Sequence, residues 1–190
     1  MKYLPIIGLL IANLIPAFGI LYLDWSLLAV IYGFWLENII VGFFTVLKMV
    51  RASGGNLGDR PKNILFFICL FGVFTLGHGS FLRPTLIFFT GSYSGIMITF
   101  ISLTVSHYLS YMVNYLGKGE YLTRTSANFI FQPFPRVIAM QIFILGGAAL
   151  LFYSLLKMNQ IILLPTILII SGKILIDLIG HLREHNYYAI

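Results

Sequence analysis

The sequence predicts an all-α membrane protein: a polytopic bundle of six transmembrane helices with both termini on the cytoplasmic side. The composition is the first observation behind this prediction, since 59% of the residues are hydrophobic and only 9% are charged. Soluble domains carry roughly a quarter charged residues. The second is a set of six apolar runs, each close to the ~20 residues that a bilayer-spanning helix needs. The third is the placement of Lys and Arg in alternate connections.

The six apolar runs follow one another closely, and no long Ser-, Gly- or Pro-rich linker divides them. Residues 1–190 are therefore predicted to form a single integral membrane domain. The connection "DWS" between the first two runs predicts a tight helical hairpin. Pro5, Asn13 and Pro16 predict a kinked first helix that packs against neighbours. The predicted spans lie near residues 3–23, 27–48, 64–82, 95–116, 136–156 and 161–181.

The basic residues set the predicted orientation. Nine of them fall in the N-terminus, the connections 48–62 and 117–136 and the C-terminal tail, whereas Arg83 and Lys157 fall on the opposite side. Such a bias predicts cytoplasmic termini. The predicted location is the cell (inner) membrane. Because the net charge of +6 is spread between apolar runs, no nucleic-acid partner is expected and the lipid bilayer is the predicted partner. Aromatic residues at the run ends, such as Trp25 and Phe129, predict anchoring at the interface.

Ionisable residues inside the predicted spans are the candidates for function. A charged group in hydrocarbon costs at least about 2.5–3.5 kcal/mol, so such residues usually face the bundle interior and mark a functional site. The candidates are Glu37 in "FWLEN", His78 in "LGHGSF", His107 in "VSHYLSYMVN", and Lys173 and Asp177 in the last span.

The last span carries a polar stripe that leads to its cytoplasmic end. Lys173, Asp177, His181 and His185 follow one another at spacings of four, with Glu184 beside them, so they share one face of a helix. The string "HLREH" has the H-x-x-E-H spacing of an inverted zincin motif, in which two His hold zinc. The alternative is the polar end of a helix, where His interacts favourably with the helix dipole.

Two further spans carry polar residues at depths similar to this stripe. His107, Ser110 and Asn114 share one face of the fourth span, and Glu37 and Asn38 interrupt the second. At about 1.5 Å per residue, Glu37, His107 and Asp177 lie about 15, 18 and 24 Å below the outer boundary. They are therefore predicted to converge in a slanted cavity that opens to the cytoplasm, and His78 is predicted to lie above them.

The favoured functional hypothesis is a metal-dependent, membrane-embedded hydrolase or oxidase that acts on a lipidic or small-molecule substrate. Imidazole and carboxylate ligands suit a divalent Zn, Fe or Mn ion that activates water. Glu37 or Glu184 would serve as the general base. The predicted metal ligands are His107, Asp177, His181 and His185, and the predicted surrounding polar cluster contains Asn38, His78, Ser110, Asn114 and Lys173.

Other interpretations stay open at this stage. A proton-coupled transporter or carrier would use Glu37, His107 and Asp177 as a protonation relay. Lys173 is also positioned to pair with Asp177 four residues later, which would compete with metal ligation. Haem ligation by His107 and His181 is less favoured, since their depths differ by about 12 Å.

Several short motifs occur in an order that resembles a known family. They are "FWLEN" with a glycine four residues after it, "HGSF", "SHYLSYMVN" and "GKILIDLIGHLREH". The sequence is similar to a family of small prokaryotic six-span integral membrane proteins described only as a domain of unknown function. The resemblance implies a membrane location and no particular reaction. It also implies a shared site made of Glu37, His78, His107, Asp177, His181, Glu184 and His185.

Overall fold

The structure is a computed structural model, and its described residues form an all-helical chain. It describes residues 4–83, 94–135, 137–139, 141–142, 145–146, 149, 153 and 163–186, with the side chains of 94, 163–166 and 181–186 excepted. Among these residues there is no β-strand, and one isolated bridge joins Gly54 to Thr125. The predicted all-α class is confirmed.

Four of the six predicted spans correspond to apolar helices long enough to cross a membrane. They include α1 (Leu4–Tyr22), α2 (Leu27–Arg51) and α3 (Arg60–Leu82), the last preceded by a 3₁₀ turn. The fourth, α4 (Ser94–Ser110), continues as a π-helical turn to Leu116. Long apolar runs form helices because every backbone hydrogen bond is then satisfied within the segment.

The last two predicted spans lie only partly within the described residues. All described residues between 134 and 153 are helical, and the final helix runs from Leu163 to Asn186. We number this helix α6, since the short helix Glu120–Thr123 is α5. At 24 residues α6 is about 36 Å long, which exceeds a hydrocarbon core of about 30 Å. Six spans and the orientation of the termini remain predictions.

Helix α2 forms the centre of the bundle. It packs against α3 and α4, while α1 packs against α4 and α6. In the most apolar stretch of α2 about 61% of the residues are buried, compared with 17–33% in the corresponding stretches of the other three candidate spans. The outer helices instead expose large side chains such as Val73, Phe81 and Ile142. Apolar surface of this extent suits contact with lipid rather than water.

The connections that follow α2 and α4 meet at one end of the bundle. The Ser53 and Gly54 amides donate hydrogen bonds to the carbonyls of Tyr121 and Arg124 at 2.8 and 3.0 Å. The Tyr115 hydroxyl also donates to a carbonyl at the end of α2, at 2.6 Å. The two most basic predicted loops therefore lie side by side, as expected if both lie on one face of a membrane.

Two of the aromatic residues predicted to anchor the chain at the membrane interface differ in their surroundings. Phe129 is fully buried and contacts the ring of Tyr115. Trp25 folds back over α1, where a Cβ on Gly19 would lie 2.1 Å from the indole ring. For Phe129 the anchoring prediction is wrong, because the loop that carries it folds against α2 rather than spreading along the interface.

Candidate functional site

The candidate site is a buried polar network shared by four helices. Helix α2 supplies Glu37, α4 supplies His107, and α6 supplies Lys173 and Asp177. Helix α1 adds Asn13, which borders the α6 carboxylate. The structure thus brings together four of the predicted polar residues.

Glu37 joins α4 to α6 through its two carboxylate oxygens. The His107 Nε2–H group donates a hydrogen bond to Oε1 at 3.0 Å. The Lys173 ammonium lies 2.7 Å from Oε2. Both partners come from segments far away in sequence, so the carboxylate fixes the relative positions of three helices. Charge-assisted contacts of this length are among the stronger polar interactions in proteins.

Asp177 forms the second half of the network. It pairs with Lys173 one turn earlier in α6 and accepts a hydrogen bond from the Asn13 side-chain amide at 2.8 Å. The same amide donates to the carbonyl of Leu9 at 3.0 Å, which holds it on the inner face of α1. A single ammonium therefore serves two carboxylates, Glu37 on one side and Asp177 on the other.

Burial makes the charge balance of this network important. Glu37, Lys173 and Asp177 are at most 2% exposed, and His107 is 12% exposed. With both carboxylates ionised, Lys173 protonated and the imidazole neutral, these four groups carry a net charge of −1. One additional proton makes them neutral. Since isolated charge is costly in a poorly polar interior, the pairing of these charges contributes to how the helices pack.

His107 lies between the buried network and a small polar pocket. The pocket also contains Ser106, Ser110 and Thr45, reaches Lys48 near the end of α2, and encloses about 40 Å³. That space is sufficient for water, because one molecule needs roughly 10–15 Å³ and a few polar partners. The ring of Phe44 stacks beside the imidazole, with centroids 6.2 Å apart. His107 is thus the member of the network that also lines this polar pocket.

The remaining predicted residues of the fourth and third spans have other surroundings. Asn114 is buried and donates a hydrogen bond to Ser110 at 3.3 Å, one turn below His107. His78 contacts its own helix, with Nδ1 2.7 Å from the carbonyl of Phe74 and its ring 4.2 Å from the Phe74 ring. Ser110 and Asn114 therefore continue the polar face of α4, whereas the His78 contacts that the described residues show are with Phe74 of its own helix.

Asn38 follows Glu37 in sequence but has a different environment. It is completely buried and lines a groove between α2 and α3. Neither atom of its amide has a hydrogen-bond partner in the described part of the chain. Adjacent residues on a helix point in directions about 100° apart, so only one of the pair reaches the network.

The C-terminal motif lies largely outside the described residues. The backbone of α6 is helical through Asn186, so positions 177, 181 and 185 fall on one helix face. The side chains of His181, Glu184 and His185 belong to the part that the structure does not describe. Within the described residues, no group of three His, Cys, Asp or Glu side chains is arranged to hold a metal ion. The Lys173 ammonium lies between the Glu37 and Asp177 carboxylates, in the position that a metal ion would need in order to bind both.

Sequence reasoning missed two features of this network. Asn13 was interpreted as part of a kink, although it supplies a hydrogen bond to Asp177. The pairing of Lys173 with Asp177 was foreseen, but its second contact, with Glu37, was not. The signal available in the sequence was an uncharged amide within the apolar run "LLIANLIP", which is unusual unless a buried partner exists.

These features define a class of protein: a helical bundle with an ionisable network in its interior, in which four helices of the described part are long and apolar enough to cross a membrane. The chain belongs to a family of unknown function, DUF6498, whose family model matches residues 2–189. The predicted resemblance to a family described only as a domain of unknown function is thereby confirmed. Comparisons with the curated proteins and with the solved structures found no match.

Proposed function

We propose that this protein is a proton-coupled membrane carrier for a small solute, in which the Glu37–His107–Lys173–Asp177 network takes up and releases a proton. The observation that carries the proposal is the single ammonium between two buried carboxylates, one of which also binds an imidazole. These groups carry a net charge of −1 when both carboxylates are ionised, and the uptake of one proton makes them neutral. Ionisable residues in the interior of membrane bundles commonly form proton relays.

The polar pocket beside His107 supports a route for that proton. An imidazole accepts a proton at one nitrogen and donates it at the other, so it suits transfer between water and a carboxylate. In this route water that enters the pocket would exchange a proton with His107, and His107 would exchange it with Glu37, whose carboxylate lies 3.0 Å away. Lys173 then balances whichever of the two carboxylates is ionised.

The same proposal includes six spans and cytoplasmic termini in the cell (inner) membrane. The basic residues at the end where the α2 and α4 connections meet support this orientation, because the cytoplasmic side of membrane proteins is enriched in Lys and Arg. Within the described residues they are Lys48, Arg51, Arg60, Lys62, Lys118 and Arg124. The polar pocket reaches this end and would therefore open toward the cytoplasm.

Infrared difference spectroscopy on reconstituted protein tests the proton relay without knowledge of the solute. Films are perfused alternately with buffers at two pH values, and the carboxylic-acid C=O band reports protonation of buried carboxyls. We expect a band that Glu37→Gln abolishes or shifts, and that His107→Asn slows in its response. Asp59→Asn is the matched control, since Asp59 is exposed in the loop after α2. An unchanged buried-carboxyl band in Glu37→Gln would exclude Glu37 from the relay.

The second candidate function is the metal-dependent enzyme with a lipidic or other membrane-borne substrate. The observation that favours it is the continuous helix through residue 186, which keeps Asp177, His181 and His185 in register on one face of α6. In this proposal those residues and His107 hold a divalent Zn, Fe or Mn ion, and Glu37 or Glu184 is the general base. The contacts of Asp177 with Lys173 and Asn13 argue against it, because they compete for the same carboxylate.

Elemental analysis separates the two candidates. Protein purified without a His tag is analysed for zinc, iron and manganese beside His181→Ala and Glu37→Gln. A metal near one equivalent that is lost in His181→Ala supports the enzyme. Absence of metal after incubation with these ions favours the carrier, in which Glu37→Gln removes proton coupling instead.

A further inference from the structure

The groove between α2 and α3, which we call the α2–α3 groove, lies outside the ionisable network. It encloses about 410 Å³, and none of its twelve lining residues, all within the described chain, is charged. Its rim contains Ile39, Phe43, Ile68 and Leu76, which are 49–69% exposed. An apolar rim on the outer surface of a membrane bundle faces hydrocarbon. The groove therefore opens sideways into the bilayer, and its volume is that of a small-molecule site.

Two unsatisfied polar side chains lie at the buried part of this groove. Asn38 is 0% exposed and Thr75 is 6% exposed, and both line the groove. Neither the Asn38 amide nor the Thr75 hydroxyl has a hydrogen-bond partner among the described residues. Leaving such groups unpaired costs about 1–3 kcal/mol each, so native interiors rarely keep them without a reason.

The Thr75 hydroxyl differs from the hydroxyls of Thr45 and Thr104, which lie in neighbouring helices. Thr45 and Thr104 donate to carbonyls four residues earlier, both at 2.7 Å. This is the usual way in which a hydroxyl within an apolar helix is satisfied. The Thr75 backbone carbonyl accepts a hydrogen bond from the Trp35 indole at 3.1 Å, but its hydroxyl makes no such bond within the described part. Its hydrogen-bonding capacity remains available to an occupant of the groove.

Glycine creates the space beside these groups. A Cβ on Gly42 would lie 3.0 Å from the Phe71 ring, so the two helices approach closely at that level. A Cβ on Gly72, which also lines the groove, would meet nothing within 4 Å. The groove is thus deep on one side and open on the other. Phe67 and Phe71, stacked at 5.0 Å, supply flat aromatic surface.

Depth restricts the chemistry of an occupant. Asn38 lies about 16 Å along α2, near the middle of a hydrocarbon core of about 30 Å. The Trp35–Thr75 hydrogen bond places Thr75 at a similar level. A phospholipid or fatty-acid headgroup stays at the interface, since a charge at mid-membrane is strongly disfavoured. A ring that carries a neutral carbonyl and an apolar tail meets both requirements: its oxygen accepts from the amide or hydroxyl, and its flat body fits the aromatic surface.

We propose that the α2–α3 groove binds a membrane-soluble ring compound with an uncharged carbonyl group, hydrogen-bonded by Asn38 and Thr75. A second copy of the chain is disfavoured as the occupant, because the polar atoms lie on the buried floor and a helix rests on the rim. This site is independent of the proton relay, so each proposal stands or fails alone.

Photolabelling with para-decylbenzophenone tests the site in reconstituted protein. This probe is a diaryl ketone with an apolar tail, and on irradiation it forms a covalent bond to a neighbouring C–H group. We expect labelled peptides from α2 and α3, identified by mass spectrometry. Decylbenzoquinone should compete for labelling, whereas decylbenzene, which lacks a carbonyl, should compete at least roughly tenfold more weakly, as the loss of one buried hydrogen bond implies.

Two substitutions make the test specific. Gly72→Leu fills the groove and should reduce labelling about tenfold, as should Asn38→Leu, which keeps the volume but removes the amide. Gly77→Leu is the matched control: its added side chain also meets no neighbour at Cβ, but Gly77 lies outside the groove. Unchanged labelling in Gly72→Leu overturns the proposal. Equal competition by decylbenzene and decylbenzoquinone also overturns it.

Discussion

Removal of the Lys173 ammonium is the sharpest test of the buried network. Lys173→Met keeps the length of the side chain and leaves Glu37 and Asp177 without their shared cation. All three residues are at most 2% exposed, so water screens the loss very little. Breaking a buried pair by removal of one partner costs about 3–5 kcal/mol, and here one substitution breaks two pairs. We therefore expect destabilisation at the upper end of that range.

The same network predicts which second substitution restores stability. Lys173→Met combined with Asp177→Asn removes a charge of each sign, keeps a hydrogen-bond acceptor for Asn13, and leaves the net charge of the network unchanged. The double variant should regain more than half of the lost stability. Lys62→Met is the control, because Lys62 is exposed and its loss should cost less than about 0.5 kcal/mol.

Thermal unfolding in detergent, followed by the fraction of protein that stays monodisperse on size-exclusion chromatography, measures these differences. The midpoint of Lys173→Met should fall well below that of the wild type, and the double variant should lie between them. If Lys173→Met had the same unfolding midpoint as Lys62→Met, the Lys173 ammonium would not hold the two carboxylates together. If the double variant were less stable than the single one, charge balance would not govern the network.

Three further predictions concern packing and topology. Asn13→Leu removes the hydrogen bond to Asp177 and should lower stability by about 1–3 kcal/mol in the same melting assay; wild-type stability would refute the contact. Gly33→Leu places a side chain where even a Cβ would lie 2.7 Å from a threonine of α4, so it should separate the two helices and lower yield and melting point more than Gly77→Leu does. Ser53→Cys, in a background without Cys69, should react with an impermeant maleimide only in inside-out vesicles; reaction in right-side-out vesicles would reverse the proposed orientation.

The helices were predictable from the sequence because the solvent dictates them. Apolar runs near the length of a bilayer form helices whatever their neighbours, and the bounds of α2 and α4 lie within three residues of those predicted. The approach of Glu37 to His107 was also within reach, since depth follows from the helical rise. The contact between Glu37 and Lys173 was not, because periodicity defines a helix face but not the helix that it meets. His78 illustrates the same limit: its depth could be estimated from the helical rise, but the sequence did not reveal that its imidazole contacts Phe74 of its own helix.

The connections that follow α2 and α4 are hydrogen-bonded to each other, and this restricts how the two helices can move relative to one another. Backbone hydrogen bonds from Ser53 and Gly54 hold the connections that follow α2 and α4 together. We therefore expect relative movement of the two helices to be smallest near these hydrogen bonds and to increase with distance from them. Glu37 lies about 21 Å from the end of α2 at Arg51, and His107 lies about 14 Å from the end of the π-helical turn at Leu116. A tilt of about 10° would part them by about 2–4 Å, enough to break their hydrogen bond. In the proposed carrier, a small angular change would therefore make or break the proton contact.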